Sequence, residues 1–199
     1  TDLTYWEEDP EAAVKALNNC YTYLGNMDEQ LYSEAMTDNA YTKQPNDFTQ
    51  NIGNGSYSTA DSYVKQVWDG RYTGIRMCNQ LLENIDRVPD LDPELKKRYI
   101  GEAKVLRAYN YYELYTKFGD VPYTTKVLSI KESMSIARTD RATVIANMLA
   151  DLDEVINGNY LPASYDADNK GRITRWAAMA IKAKIYLFEG NWTQVKNIT

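Results

Sequence analysis

The side chains best suited to acid–base chemistry in this sequence are carboxylates, because histidine is absent from all 199 residues. Without imidazole the chain lacks the usual general base near neutral pH and the commonest zinc ligand. Glu113, Asp120 and Glu154 are the acids that could serve as the paired carboxylates of a helical glycosidase. Nothing in their spacing fixes a pair at the required separation, and acids are common on any solvated helix. The expectation is therefore a protein without catalytic residues. Asp166, Asp168 and Gly171 match the opening of a calcium loop, Asp-x-Asp-x-x-Gly. The match fails at Lys170 and at Ala177, where a bidentate Glu is required, so neither a metal nor a cofactor is expected. The two cysteines, Cys20 and Cys78, fall on apolar positions of predicted helices. They are expected as buried free thiols, with a disulfide the alternative.

Side chains suited to binding gather instead in one stretch without helical period, Thr37 to Thr59, TDNAYTKQPNDFTQNIGNGSYST. Loops of about this length without structure of their own are uncommon and often functional. The rest of the composition is that of an ordinary globular chain, 44% hydrophobic and 25% charged. The formal charge is −6, from 22 basic and 28 acidic residues, with no basic cluster to neutralise phosphates. That excludes a nucleic-acid partner. No apolar run approaches the roughly 20 residues of a membrane span, and no signal peptide is seen. The chain begins at Thr1 without Met, which leaves room for a processed or trimmed start.

The element that must position everything else runs from Pro93 to Pro122. Ile100, Ala103, Arg107, Tyr111, Leu114 and Phe118 recur at helical spacing, and Tyr109, Tyr112 and Tyr115 add aromatic surface on the flanks. A helix that is apolar or aromatic almost all round packs inside other helices. Asp92-Pro93-Glu94 starts it, Gly119 supplies the left-handed backbone that closes it, and Pro122 prevents it from resuming. Arg107 is expected to pair with an acid or a backbone carbonyl rather than to recognise a ligand.

The other helices follow from the same signals. Asp9-Pro10-Glu11 reads as the start of a first helix of about four turns with Ala13, Leu17, Cys20 and Leu24 inward. Gly25 and Asn26 can end it, and Leu31 to Met36 suggests a shorter helix. A long helix from about Ala60 to Arg87 turns Val64, Trp68, Arg71, Ile75, Cys78, Leu82 and Ile85 inward, and must lie antiparallel to the central one. A connector, Val121 to Arg138, begins extended. Thr139-Asp140 caps a helix with Val144, Met148, Leu152 and Val155 inward. A second long loop, NGNYLPASYDADNKGRI, precedes a helix opened by Thr174 and ended by Gly190. Asn191-Trp192 starts one more, cut short at Thr199. A two-turn helix makes a poor terminus, so the chain reads as part of something longer. The fold class is all-α: stacked helical hairpins with long loops, similar to tetratricopeptide repeats without a surviving 34-residue period.

GEAKVLRAYNYYELYTKFGDVPYTT resembles the signature of the SusD/RagB family: acid-Ala-(Lys/Arg)-x-Leu-Arg-Ala, aromatics, then Gly-Asp-Val-Pro. YWEEDPEAAVKALNNCYTYL resembles the family's opening helix, TDNA its Thr-Asp segment, and WDGRYTGIRMCNQLLENI its Trp-x-x-x-Tyr-x-x-Ile-x-x-x-Asn helix. RTDRATVIANMLADLDEVI and GRITRWAAMAIKAKIYLFEGNW match the two later helices, in order. The resemblance implies that residues 1–199 are the N-terminal, tetratricopeptide-like part of a longer, non-enzymatic lipoprotein. Such a protein sits on the extracellular face of a bacterial outer membrane, held by an N-terminal lipid anchor that lies outside this chain. It would bind oligosaccharides, or peptides in some members, and act with a SusC-like TonB-dependent transporter. The alternative reading is a helical-repeat adaptor that binds only protein.

The resemblance also places a ligand site on the loop at 37–59, through Tyr41, Lys43, Gln44, Asn46, Asp47 and Phe48. An exposed ring beside amides and charges suits the apolar faces and hydroxyl edges of a pyranose. The tryptophans of starch-binding members are replaced here by Tyr41 and Phe48, which argues against starch itself. The bland alternative is that Tyr41 and Phe48 only pin the loop to the core.

Overall fold

The computed structural model describes residues 4–25, 27–44 and 47–198. In chain order its helices are α1 (Tyr5–Glu8), α2 (Ala12–Tyr21), α3 (Met27–Ala35), α4 (Phe48–Gly53), α5 (Ser62–Asn84), α6 (Pro93–Phe118), α7 (Ile130–Ser135), α8 (Arg141–Asn157), α9 (Arg175–Phe188) and α10 (Trp192–Ile198). A 3-10 turn, Ile85–Arg87, extends α5. The extended pairing among the described residues is a single bridge, Val121 with Thr139.

The start of α6 follows from its sequence. Asp92 accepts hydrogen bonds from the amides of Glu94 (3.0 Å) and Leu95 (2.9 Å), and Pro93 opens the first turn. Gly119 ends it with φ 70° and ψ −123°. The positive φ is the one expected, but ψ falls outside the left-handed helical region, in territory that glycine alone enters freely. Between these ends the helix is buried on the anticipated face, at Ala103, Arg107, Tyr111 and Leu114, and also at Val105, Leu106, Ala108 and Asn110. Ile100 and Phe118 are half-buried.

Contacts run in opposite order along neighbouring helices, so each reverses the one before. On α5 and α6, Trp68 meets Phe118, Arg71 faces Glu113, and Asn79 meets Arg107. On α6 and α8, Lys104 pairs with Glu154 and Arg107 with Asp151. On α8 and α9, Arg141 pairs with Glu189 and Lys182 with Asp153. With α2 packed on both α5 and α6, the hub is enclosed as its all-round apolar sequence requires. The inward residues of α8 are Val144, Met148, Leu152 and Val155, as the period predicts.

Arg107 is a structural tie. Its Nε and Nη2 donate to Asp151 Oδ2 (3.1 and 2.6 Å), and Nη1 donates to Asn79 Oδ1 (2.9 Å). Asn79 Nδ2 passes the chain on to the carbonyls of Thr124 and Lys126. The Tyr111 hydroxyl donates to the Thr124 carbonyl (2.9 Å) and accepts from the Thr124 amide (2.8 Å), while its ring packs on Tyr123. A buried polar group without partners costs heavily. Here each engaged group fixes the connector onto the hub.

Several boundaries differ from the sequence reading. α2 is shorter than four turns: Asp9 accepts from the Glu11 amide (2.9 Å) and holds Lys15 (2.8 Å), but Pro10 and Glu11 form a turn, and regular helix runs only from Ala12 to Tyr21. Of the expected helix end, Gly25 has the positive φ of a stop (88°) but stands beyond the last helical residue, Tyr21, and Asn26 lies outside the described residues. α3 starts earlier than anticipated, at Met27. The connector contains α7, launched by a reciprocal Ser129–Glu132 capping box. On α5 the buried stripe is rotated: Leu81 is buried, while Val64, Trp68 and Leu82 are half-buried. Cys20 and Cys78 are buried free thiols.

The second long loop is bolted to the core. Glu102 on α6 is completely buried. Its Oε2 accepts from the Tyr21 hydroxyl (2.5 Å) and Arg172 Nη1 (3.3 Å), and its Oε1 lies 3.2 Å from Arg98 Nε. The Tyr165 hydroxyl stands 3.4 Å from Oε1 and 3.1 Å from the Ile173 carbonyl. The Tyr21 oxygen accepts from the Ile173 amide (2.9 Å). Burial pushes the Glu102 carboxyl above its ordinary range, against the lowering effects of Tyr21, Arg172 and Arg98.

Candidate functional site

Residues 37–59 are not featureless. The six-residue α4 is capped by Asp47, whose Oδ1 accepts from the Thr49 amide (2.8 Å) and hydroxyl (2.7 Å). These bonds hold the Asp47 carboxyl below its ordinary range. Gln50 Nε2 donates to the carbonyls of Thr42 (2.7 Å) and Gln44 (3.0 Å), and the hydroxyls of Thr42 and Thr49 meet at 2.9 Å. The segment is therefore held by its own polar groups.

On this frame the predicted site residues divide. Tyr41 projects with 78% of its surface exposed, and Lys43 and Gln44 are exposed beside it in sequence. Asp47 serves as the α4 cap. Phe48 is half-buried and stacks on Tyr63 of α5 (centroids 4.7 Å apart, 23° between planes) and against Tyr32 of α3 (5.2 Å). Asn46 lies outside the described residues. The geometry thus gives an exposed ring and polar groups on one part of the loop and an aromatic anchor on the other.

Phe48 also lines a feature that sequence reasoning missed. A cleft of about 320 Å³ opens where the end of α2, α3, the start of α4, α5 and the last turns of α6 converge. Its aromatic side holds Tyr32, Phe48 and Tyr63, and its polar side Arg71, Glu29, Glu113 and Lys117. Arg71 Nη1 donates to the Tyr23 carbonyl (2.8 Å), and Nη2 lies 3.0 Å from Glu29 and 3.8 Å from Glu113. Its guanidinium lies 5.7 Å from the centroid of Tyr109. Lys117 pairs with Glu113 at 2.5 Å.

Gly70 in α5 lines this cleft, and a Cβ built there meets nothing within 4 Å beyond its own stretch of helix. A glycine inside a helix costs about 1 kcal/mol relative to alanine. At Gly74, one turn on, packing explains the glycine: a Cβ would fall 2.8 Å from Tyr23 and 2.9 Å from Asn110. No such crowding exists at Gly70. A glycine in the middle of the predicted helix was the available sequence signal for the cleft.

A larger cavity, about 550 Å³, lies on the opposite face of α5 beside the connector, with Trp68, Tyr72, Arg76 and Asn79 in its wall. In its wall Arg76 donates to the Leu128 carbonyl (2.9 Å) and Tyr72 to the Pro122 carbonyl (2.8 Å). The carboxylates considered for catalysis are likewise engaged. Glu113 pairs with Lys117, Asp120 accepts from the Arg141 amide (2.9 Å), and Glu154 pairs with Lys104. Asp166 accepts from the Asn169 amide and side chain. Among the described residues no acidic, cysteine or histidine cluster is placed to hold a metal, and no helix is long and apolar enough to cross a membrane.

The family profile SusD-like_3, described as "Starch-binding associating with outer membrane", matches residues 11–187, and the chain belongs to this SusD-like family. Among its relatives is SusD-like protein P25 of Formosa agariphila, 27% identical over 94% of this chain. Of solved structures, a SusD-like protein from Bacteroides fragilis superposes with TM-score 0.85 at 27% identity over 100% of the chain. A laminarin-binding SusD-like protein does so with TM-score 0.82 at 26% identity over 95%. The chain spans 40% of the P25 sequence and 38% and 41% of these two structures.

Proposed function

We propose that this chain is part of a non-enzymatic cell-surface protein that captures oligosaccharides and passes them to a SusC-like TonB-dependent transporter. It acts on the extracellular face of a bacterial outer membrane, where a lipid anchor holds the protein. The observation that carries this reading is family membership across residues 11–187, supported by a relative of like fold that is described as laminarin-binding. The loop at 37–59 is the capture platform. Tyr41 offers a free ring face to a pyranose, and Lys43, Gln44 and Asn46 supply donors and acceptors for its hydroxyls. Asp47 and Phe48 hold that platform in shape as well as bordering it. A rigid frame that presents an exposed ring loses little entropy on binding. The helical stack supplies the scaffold and part of the transporter contact.

Calorimetric titration of the protein at full natural length against plant, microbial and host oligosaccharides tests the reading. Tyr41→Ala is expected to weaken binding of the preferred glycan by about tenfold or more, the scale of one lost ring contact. Its melting temperature should match wild type. Binding of peptides in place of glycans, or silence across the panel, would sink the glycan reading.

A further inference from the structure

We infer that the cleft beneath Gly70 is a second recognition pocket, one that takes a single neutral, hydroxyl-rich ring such as a terminal hexose. The inference rests on the glycan reading above and adds to it a site away from Tyr41.

Gly70 faces a cleft of about 320 Å³, at the lower end of the size of small-molecule pockets, and beyond its own stretch of α5 nothing comes within 4 Å of where its Cβ would stand. Glycine is disfavoured in a helix, and neither backbone conformation nor packing requires it here. It is required if a ligand approaches the α5 backbone closely.

The charges then define the ligand. Arg71 and Lys117 stand against Glu29 and Glu113 in mutual pairs at 3.0, 3.8 and 2.5 Å, so the wall carries no surplus of either sign. An anionic sugar would meet two carboxylates, and a cationic amine would meet two basic groups. A hydroxyl suits both, because it donates to a carboxylate and accepts from a guanidinium or ammonium at once. The aromatic side, Phe48 with Tyr32 and Tyr63, suits the C–H face of a pyranose. Phe48 belongs to the loop that carries Tyr41, so platform and cleft share one structural element. That arrangement would let one chain lie on the platform with its end ring in the cleft.

The test uses the protein at full natural length, the same oligosaccharide panel, and hexagalacturonate as the anionic probe. Gly70→Phe fills the cleft and is expected to weaken the preferred neutral glycan by about tenfold or more, with an unchanged melting temperature. Gly70→Ala, which places one methyl group where the ligand approaches the backbone, should weaken the glycan less, by about threefold, and melt higher, as helix propensity requires. Glu113→Gln, which leaves the wall with one basic group in surplus, should weaken the neutral glycan and raise affinity for hexagalacturonate. Wild-type affinity in Gly70→Phe, together with loss in Tyr41→Ala, overturns the cleft and leaves the platform standing. A melting temperature that falls in Gly70→Phe but not in Gly70→Ala also overturns it, because protein would then occupy the space. Equal binding of hexagalacturonate and the neutral glycan overturns the ligand class. Silence of wild type across the panel overturns both readings together.

Discussion

The two long loops of this protein look alike as sequence and behave oppositely as structure. Residues 37–59 and 158–174 are both rich in Asn, Asp, Gly and Ser and lack a helical period. The second is stitched into the interior: Tyr165, Arg172 and Ile173 converge on the buried Glu102 and its partner Tyr21. The first is stitched mainly to itself, through Asp47, Thr49 and Gln50, with Phe48 as its grip on α3 and α5. It leaves Tyr41 in water and an open cleft at its edge. Polarity alone does not tell how a loop is held. What matters is whether its polar groups close on the core or on the loop's own backbone.

Substitutions can sharpen that contrast. The largest effect is expected at the core-linked loop, where Glu102→Ala leaves Arg98 and Arg172, both largely buried, without their acid. Breaking such a buried arrangement costs about 3–5 kcal/mol, measured by chemical denaturation. A loss below about 1 kcal/mol would mean that water or backbone replaces the carboxylate readily. At the self-contained loop, Phe48→Ala should cost about 2–4 kcal/mol, from half a ring's burial plus two ring contacts. Hydrogen exchange should then quicken in α4 while α6 is unaffected. A uniform rise across the hub would show that the loop is tied to the core after all. Smallest is Tyr41→Ala, expected within about 0.5 kcal/mol of wild-type stability. A larger loss would make Tyr41 an anchor and not a platform.

The hub, its Asp92-Pro93 start and its glycine stop were legible because α6 is long and its period repeats many times. The four inward residues of α8 and the Thr174 cap of α9 were legible for the same reason. α4 was not, since six residues give no period and its stability comes from a cap and from rings supplied by α3 and α5. α7 carries its signal openly, Ser129 three residues before Glu132, but was obscured by the extended residues ahead of it. The Glu102 cluster was invisible for a different reason, and the cleft showed only as a glycine inside a predicted helix. They join residues far apart in sequence, such as Tyr21 with Glu102 at a separation of 81 and Arg71 with Glu29 at 42, and nothing in local spacing announces such a meeting. Of the candidate site, the exposed ring was readable as composition. Its frame was not.

The tyrosines packed around α6 carry a consequence for alkaline solution. Burial pushes the phenols of Tyr109 and Tyr123 up to about 12, and that of Tyr111 higher still, against about 10 in an unfolded chain. The folded state therefore keeps protons that the unfolded state releases. Their stabilising contribution is whole below about pH 10 and drains away as pH climbs through the folded values. The tyrosinate absorbance of these rings should consequently rise together with loss of helical circular dichroism, so the hub carries its own optical gauge of unfolding.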